Sequence, residues 1–257
     1  MALRLLGEGP IDIHGGGIDL VFPHHENEIA QAEGATGRQF ARFWVHVEFL
    51  NLDHEKMSKS LGNVYTVQDI LDRGFRASAL RYLLISVHYR KQLTFSFDIL
   101  AQADAALTRV TDFLARVDGV TGGEAHPVVA DRVARARADF RERIASDLNV
   151  PGALGVMFEL LREMNAGIDQ GNVGHADAAL IREAFDEFDK VVGVMGLRRA
   201  EELAPPIPEE EILALIEDRK QARRIRKFAK ADDIRKNLEA RGVILEDSAT
   251  GTRWKRK

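Results

Sequence analysis

Residues 56–60 read Lys-Met-Ser-Lys-Ser and lead into Leu-Gly-Asn, which sets two ammonium groups three positions apart on an apparent loop. Lys56 and Lys59 can close on a polyphosphate, and Ser58 and Ser60 add hydroxyl donors. Lysine suits an anion whose charge grows along a reaction. As bare composition, a lysine–serine loop is equally an ordinary solvated turn. A second group occupies His-Gly-Gly-Gly-Ile-Asp-Leu-Val-Phe-Pro-His-His-Glu-Asn-Glu at residues 14–28. Gly15, Gly16 and Gly17 allow backbone to approach a ligand closely, and Asp19 is placed to accept hydrogen bonds from ribose hydroxyls. His24 and Glu28 stand four residues apart, so on a helix they share one face. Imidazole and carboxylate are both acceptable zinc donors. A glycine turn and a surface His–Glu pair are the plain alternatives.

Several elements must position these groups. "PIDIHGGGIDLVF" reads as a strand, a glycine turn and a second short apolar run. "HHENEIAQAEGATG" reads as a helix entered after Pro23 and stopped near Gly34. "RFWVHVEFLNL" has the aromatic and β-branched content of a buried strand. Thr66 is a plausible N-cap for a helix in "TVQDILDRGF", and "RASALRYLLISVHY" is a further helix. From about Asp98 four amphipathic patterns follow: "DILAQADAALTRVTDFLARV", "ADRVARARADFRERIA", "PGALGVMFELLREMNAGI" and "DAALIREAFDEFDKVVGVMG". Separated by polar loops, they predict an antiparallel helix bundle. "APPIP" at 204–208 marks a linker. Beyond it a helical stretch breaks near Phe228, and "VILED", "SATG" and "TRWKRK" make a small hairpin.

The chain has 257 residues, 45% of them apolar, enough to bury a core across one to three domains. It has no cysteine, which excludes a disulfide framework and any thiolate metal site within the chain. No apolar run approaches the length of a membrane span. The net charge of −4 hides an asymmetry. Residues 219–257 hold 14 Lys and Arg against 5 Asp and Glu, a local +9, and the remainder carries −13. An acidic body with a basic end predicts that the end meets a polyanion, although a solvated helix surface would look the same. The densest stretch, "RKQARRIRKFAK", has seven bases and no acid. Such a face favours phosphates without reading sequence.

The segments "DIHGGGIDLVFPHHENEIAQ", "KMSKSLGN", "HYRKQLTFS" and "ILEDSATGTRWKRK" together resemble the cysteinyl-tRNA synthetase family, and the second is similar to the KMSKS signature of class I aminoacyl-tRNA synthetases. The resemblance covers essentially the whole chain. It implies an α/β fold: a partial Rossmann-like catalytic domain with a stem-contact segment at 1–96, a helical bundle of DALR type at 97–203, and a small mixed anticodon-binding domain at 204–257. It implies that cysteine and ATP, with Mg, form cysteinyl-adenylate, and that the cysteinyl group then moves to the cysteine tRNA. In that family zinc binds the substrate thiolate and a hydroxyl is rejected. The resemblance makes His24 and Glu28 two of four zinc ligands. It places Gly15, Gly16, Gly17 and Asp19 in the adenosine pocket, with Trp44 and His46 beside it. It has Lys59 contact ATP, with Lys56 supporting the loop. It sets Arg223, Asp232, Arg235 and Asp247 at the anticodon, where Phe228 or Trp254 could stack on an unpaired base or belong to the core. A cytoplasmic monomer with no membrane partner is the matching expectation.

The family's other two zinc ligands are cysteines, and its HIGH signature also lies upstream; neither is present here. Met1 matches a methionine just after a zinc cysteine, so the expectation is a chain that starts inside the catalytic domain and is inactive alone. Two ligands do not close a tetrahedral site. A chain that nevertheless held zinc would draw on others, such as His25 or His14. "DLNVPGAL" at 147–154 departs from the family's Asp-Phe-Asn-Thr-Pro, with Leu148 and Val150 expected to keep a helix-turn context. The alternatives are a non-catalytic tRNA-binding module and a cysteine ligase of mycothiol synthesis. The second is disfavoured by the basic C-terminal end.

Overall fold

The computed structural model describes residues 5–7, 9–52, 55–56, 64–203, 209–225, 227–248 and 251–256. Strand β1 (Ile11–Gly17) pairs in parallel with β2 (Ala41–Val47), His14 opposite Trp44 and Gly16 opposite His46. The glycine triplet is therefore the end of a strand and not the expected turn. A side chain at Gly16 would put its Cβ 2.8 Å from His25 Cε1 and 2.9 Å from Leu20 Cδ1, so glycine is what lets the following segment fold back onto the strand. Helical turns at Ile18–His25 lead into α1 (Glu26–Thr36). Gly34, the expected stop, lies inside α1; the stop is Gly37, whose left-handed φ of +64 closes it.

The stretch expected as one buried strand is two. After β2 the chain turns and forms β3 (Leu50–Leu52), which pairs with β4 (Glu55–Lys56) antiparallel and with β5 (Leu93–Phe95) in parallel. Phe43, expected inside, is 66% exposed because β1 is the only partner of β2 among the described residues and nothing there covers the outer face. Helix α2 (Val67–Asp72) has the predicted cap. Thr66 Oγ1 accepts from Asp69 N at 3.1 Å, and the Asp69 carboxylate accepts from Thr66 N at 2.7 Å. Helix α3 (Ala77–Ile85) buries Ala79, Leu80 and Leu83 against Leu52, Ile70, Phe95 and Leu100.

Four helices carry the main core: α4 (Phe97–Asp118), α5 (Pro127–Ala145), α6 (Val150–Asp169) and α7 (His175–Val192). Phe113, Met157, Ile181, Phe185 and Phe188 meet in one cluster with almost no exposure. The last of the four patterns does not run through "GVMG". Gly193, at φ +63, ends α7, and α8 (Met195–Leu203) follows. The bend is fixed by Arg81, whose Nε donates to the Val192 carbonyl at 2.7 Å. Buried Arg198 ties α8 to α4 by donating to the Asp104 carboxylate and, at 2.9 Å, to Thr108 Oγ1.

The C-terminal part has α9 (Glu209–Arg224) and α10 (Phe228–Ala240), followed by the hairpin β6 (Val243–Ser248) and β7 (Gly251–Arg256). The helix break near Phe228 and the hairpin are where the sequence puts them. Ile212, Ile234, Leu238, Val243 and Leu245 form a separate small core. The linker at 204–208 and the hairpin-turn residues 249–250 lie outside the described residues. No helix among the described residues is long and apolar enough to cross a membrane.

Candidate functional site

The carboxyl ends of parallel strands are where α/β folds collect ligand-binding groups. The ends of β1 and β2 carry a concentration of rings. Strand alternation puts His14 and Gly16 on one face of β1, and Trp44 and His46 on the same face of β2. The imidazole of His25 enters this face from the segment before α1 and is buried. Its Nδ1 lies 2.8 Å from His46 Nε2, and its ring stands 4.9 Å from both His14 and Trp44. Phe40 closes the far side, 5.6 Å from His14 and 6.1 Å from Trp44.

Glu28, on the first turns of α1, points into the same cluster. Its Oε2 is buried, accepts no hydrogen bond, and lies 3.1 Å from His14 Nε2. The close approach without hydrogen-bond alignment leaves a carboxylate oxygen in want of a positive partner. His24 shares the expected helix face with Glu28, at 3.8 Å, but its side chain is largely exposed. Among the described residues, His14, His25 and Glu28 offer ligand atoms within 4.8 Å of one another. Two imidazoles and an orphaned carboxylate oxygen are a donor set that fits zinc. Burial, reinforced by the neighbouring His14 and His46, lowers the pKa of His25, and Glu28 pulls the other way. A neutral imidazole is the form that can give a lone pair to a metal.

Asp19 is exposed, and its Oδ1 sits over Gly17 so closely that a Cβ there would come within 2.5 Å. Gly15, Gly16 and Gly17 present their backbone on the strand. Trp44 and His46 lie with their planes 11° apart at 6.3 Å between ring centres, which makes a flat wall beside the glycines. The backbone of Lys56 pairs with Asn51 in β4; Lys59 and the rest of the lysine–serine loop through Asn63 lie outside the described residues. Phe40 was not singled out from sequence, and His14 and His25 only in passing. The legible signal was the alternation His-x-Gly beside Trp-x-His, which becomes a cluster once the two strands pair.

In the C-terminal part, Arg223 sits on the last turn of α9, Asp232 and Arg235 on α10, and all three are exposed. Asp247 pairs with Thr252 across the hairpin. Phe228 is 59% exposed, whereas Trp254 packs against the small core. Of the seven bases in "RKQARRIRKFAK", Arg219 is buried and does not belong to a solvated face.

Three family descriptions match along the chain. The tRNA synthetases class I (C) catalytic domain matches residues 1–105, the DALR domain 139–199, and the cysteinyl-tRNA ligase anticodon binding domain 206–254. The chain is 43% identical to a cysteine–tRNA ligase of Geobacter sulfurreducens over 272 residues, covering all of this chain and 56% of that protein. It is 45% identical to one of Solibacter usitatus over 260 residues, covering all of this chain and 54% of that protein. The chain thus spans about half the length of the curated relatives it matches. Among solved structures, a LeuRS of Agrobacterium radiobacter K84 in a ternary complex with tRNA and LeuAMS is similar. Its TM-score is 0.57 at 19% identity, over 72% of this chain and 26% of that one, a likeness of fold.

Proposed function

Because the chain belongs to the cysteine–tRNA ligase family, we propose that it supplies one part of the machinery that activates cysteine with ATP and transfers it to the cysteine tRNA. What supports this reading above all is the match of the whole chain to such ligases at 43–45% identity. The division of labour follows residues 1–96 as part of a Rossmann-like catalytic domain with a stem-contact segment, 97–203 as an antiparallel tRNA-binding bundle, and 204–257 as the anticodon-binding domain.

The end of β1 is the adenosine side. Gly15, Gly16 and Gly17 let the nucleotide lie against backbone, Asp19 accepts from ribose hydroxyls, and Trp44 and His46 form the flat wall. Lys59, with Lys56 behind it, follows the growing negative charge on the triphosphate and its Mg. Glu28 and His24, with His14 and His25 beside them, hold zinc, which when bound supplies a soft acceptor for a thiolate. His46 orients His25 through the hydrogen bond between the two rings. Phe40 and Trp44 pack against His14, the ring nearest the buried Glu28 oxygen. The chain has no cysteine, so thiolate ligands come from other polypeptide.

The test is to join the chain to the portion of the Geobacter relative that it does not span. Cysteine-dependent exchange between ATP and pyrophosphate is the expected result, and Lys59→Ala should lower it by about 10² to 10³, as for loss of one preorganised charge donor. A folded chimaera without exchange contradicts the reading, and the unjoined chain is expected to show none. A second reading, a tRNA-binding module without catalysis, is favoured by one observation, the exposed Arg223, Asp232 and Arg235 around a C-terminal core separate from the site. It predicts tRNA binding with no exchange in either form.

A further inference from the structure

Asp147 and Leu148, between α5 and α6, are the only non-glycine residues with positive φ among the described residues, at +53 and +52. The sequence suggested an ordinary helix turn there. Two consecutive L residues in the left-handed region persist only where surrounding structure fixes them, and here the fixing groups come from a segment 57–59 residues away. Tyr89 Oη donates to Asp147 Oδ1 at 2.5 Å, and Arg90 donates from Nε to Oδ2 at 2.6 Å. His88 Nε2 lies 3.0 Å from the Asp147 carbonyl. Asn149 then caps α6, its Oδ1 accepting from Gly152 N at 3.0 Å.

The same segment reaches the other way, into the site strand. The Tyr89 carbonyl accepts from Glu48 N at 2.8 Å, one residue past β2. Val45, between Trp44 and His46 and so on the opposite face of β2, lines a cavity of about 200 Å³ with Leu84, Ile85, Tyr89, Leu148 and Val150. The turn therefore stands behind the strand whose front carries the ring cluster.

We propose that Asp147 is a positioning residue: by seating the left-handed turn on Tyr89 and Arg90, it sets where β2 lies against the helices and so where Trp44 and His46 stand in the site. The importance of that placement rests on the function proposed above, but the placement can be measured without it. Trp44 and Trp254 are the two tryptophans of the chain, so Trp254→Phe leaves Trp44 as the reporter. In that background, acrylamide quenching of Trp44 is compared for Asp147→Ala, Asp147→Asn and Tyr89→Phe, with helix content followed by circular dichroism. Asp147→Ala should roughly double the quenching constant by loosening the strand locally, and Tyr89→Phe should raise it less. Asp147→Asn should stay near the parent, because asparagine tolerates the left-handed region and keeps an oxygen for Tyr89. Quenching equal to the parent in a folded Asp147→Ala and in Tyr89→Phe overturns the proposal. If Asp147→Ala loses its helix signal, Tyr89→Phe decides alone, in the same sense. A chain that fails to activate cysteine leaves this outcome unchanged.

Discussion

The β1–β2 layer and the helical core are built on opposite terms. In the helices, Phe113, Phe185 and Phe188 converge with at most 1% exposure, and the buried Asp177 carboxylate accepts from Gly174 N and His126 N. In the layer, Ile13 and Phe43 face each other in register and are 65% and 66% exposed, while the protected interior is spent on imidazoles and an unsatisfied carboxylate oxygen. Parallel strands are ordinarily covered on both faces. The helices carry the main core, and the layer carries the candidate site.

The largest expected effect breaks the comparison on the helical side. Phe185→Ala should destabilise the helices by about 3–5 kcal/mol, the cost of a cavity at a fully buried aromatic site, read as a fall in the thermal midpoint of helical circular dichroism. On the layer side, Gly16→Ala should cost about 1–3 kcal/mol through overpacking, since its Cβ meets His25 and Leu20. Its main consequence should be weaker binding of Co(II) by the His14, His25 and Glu28 cluster, seen in the visible spectrum, with the helical midpoint little changed.

A pH titration sharpens the link between the two regions. Hydrogen bonds from Arg90 and then Tyr89 hold the Asp147 carboxyl at about 2, below its ordinary 3.8. A depressed carboxylate adds stability that is fully present above the unfolded value and fades as pH falls through the folded one. The stability difference between the parent and Asp147→Asn should therefore be constant above about pH 5 and vanish toward pH 2. A difference that persists at pH 2 would place the contribution elsewhere. The smallest effect is the control: Phe43→Ala should change stability by no more than about 0.5 kcal/mol, because that face is open.

The same contrast governs what the sequence could show. The helices α4–α7 repeat their apolar residues over five or more turns, and the Thr66 cap and the break at Phe228 are local signals. The layer depends on pairing between distant segments. Glycine marks a turn by default, and nothing local to Gly15–Gly17 announces their pairing with Val45–Val47. The spacing of His24 and Glu28 was legible because it lies within one helix. The approach of His14 and His25 to Glu28 was not, because it needs the strand register and a glycine at 16. Asp147 carried no local mark, since the groups that hold its conformation are at 88–90.

The proposed function gives the C-terminal part a nucleic-acid-binding role, which can be tested on the chain as it stands. Binding is measured to the cysteine tRNA with its GCA anticodon and to the same tRNA with one anticodon base changed, at two salt concentrations. The prediction is salt-sensitive binding to both, with a preference for GCA of roughly tenfold or more, the scale of one lost base-edge contact. Asp232→Ala should erode the preference, and Lys220→Ala should weaken both complexes alike. Equal affinity for the two tRNAs at both salt concentrations would contradict it.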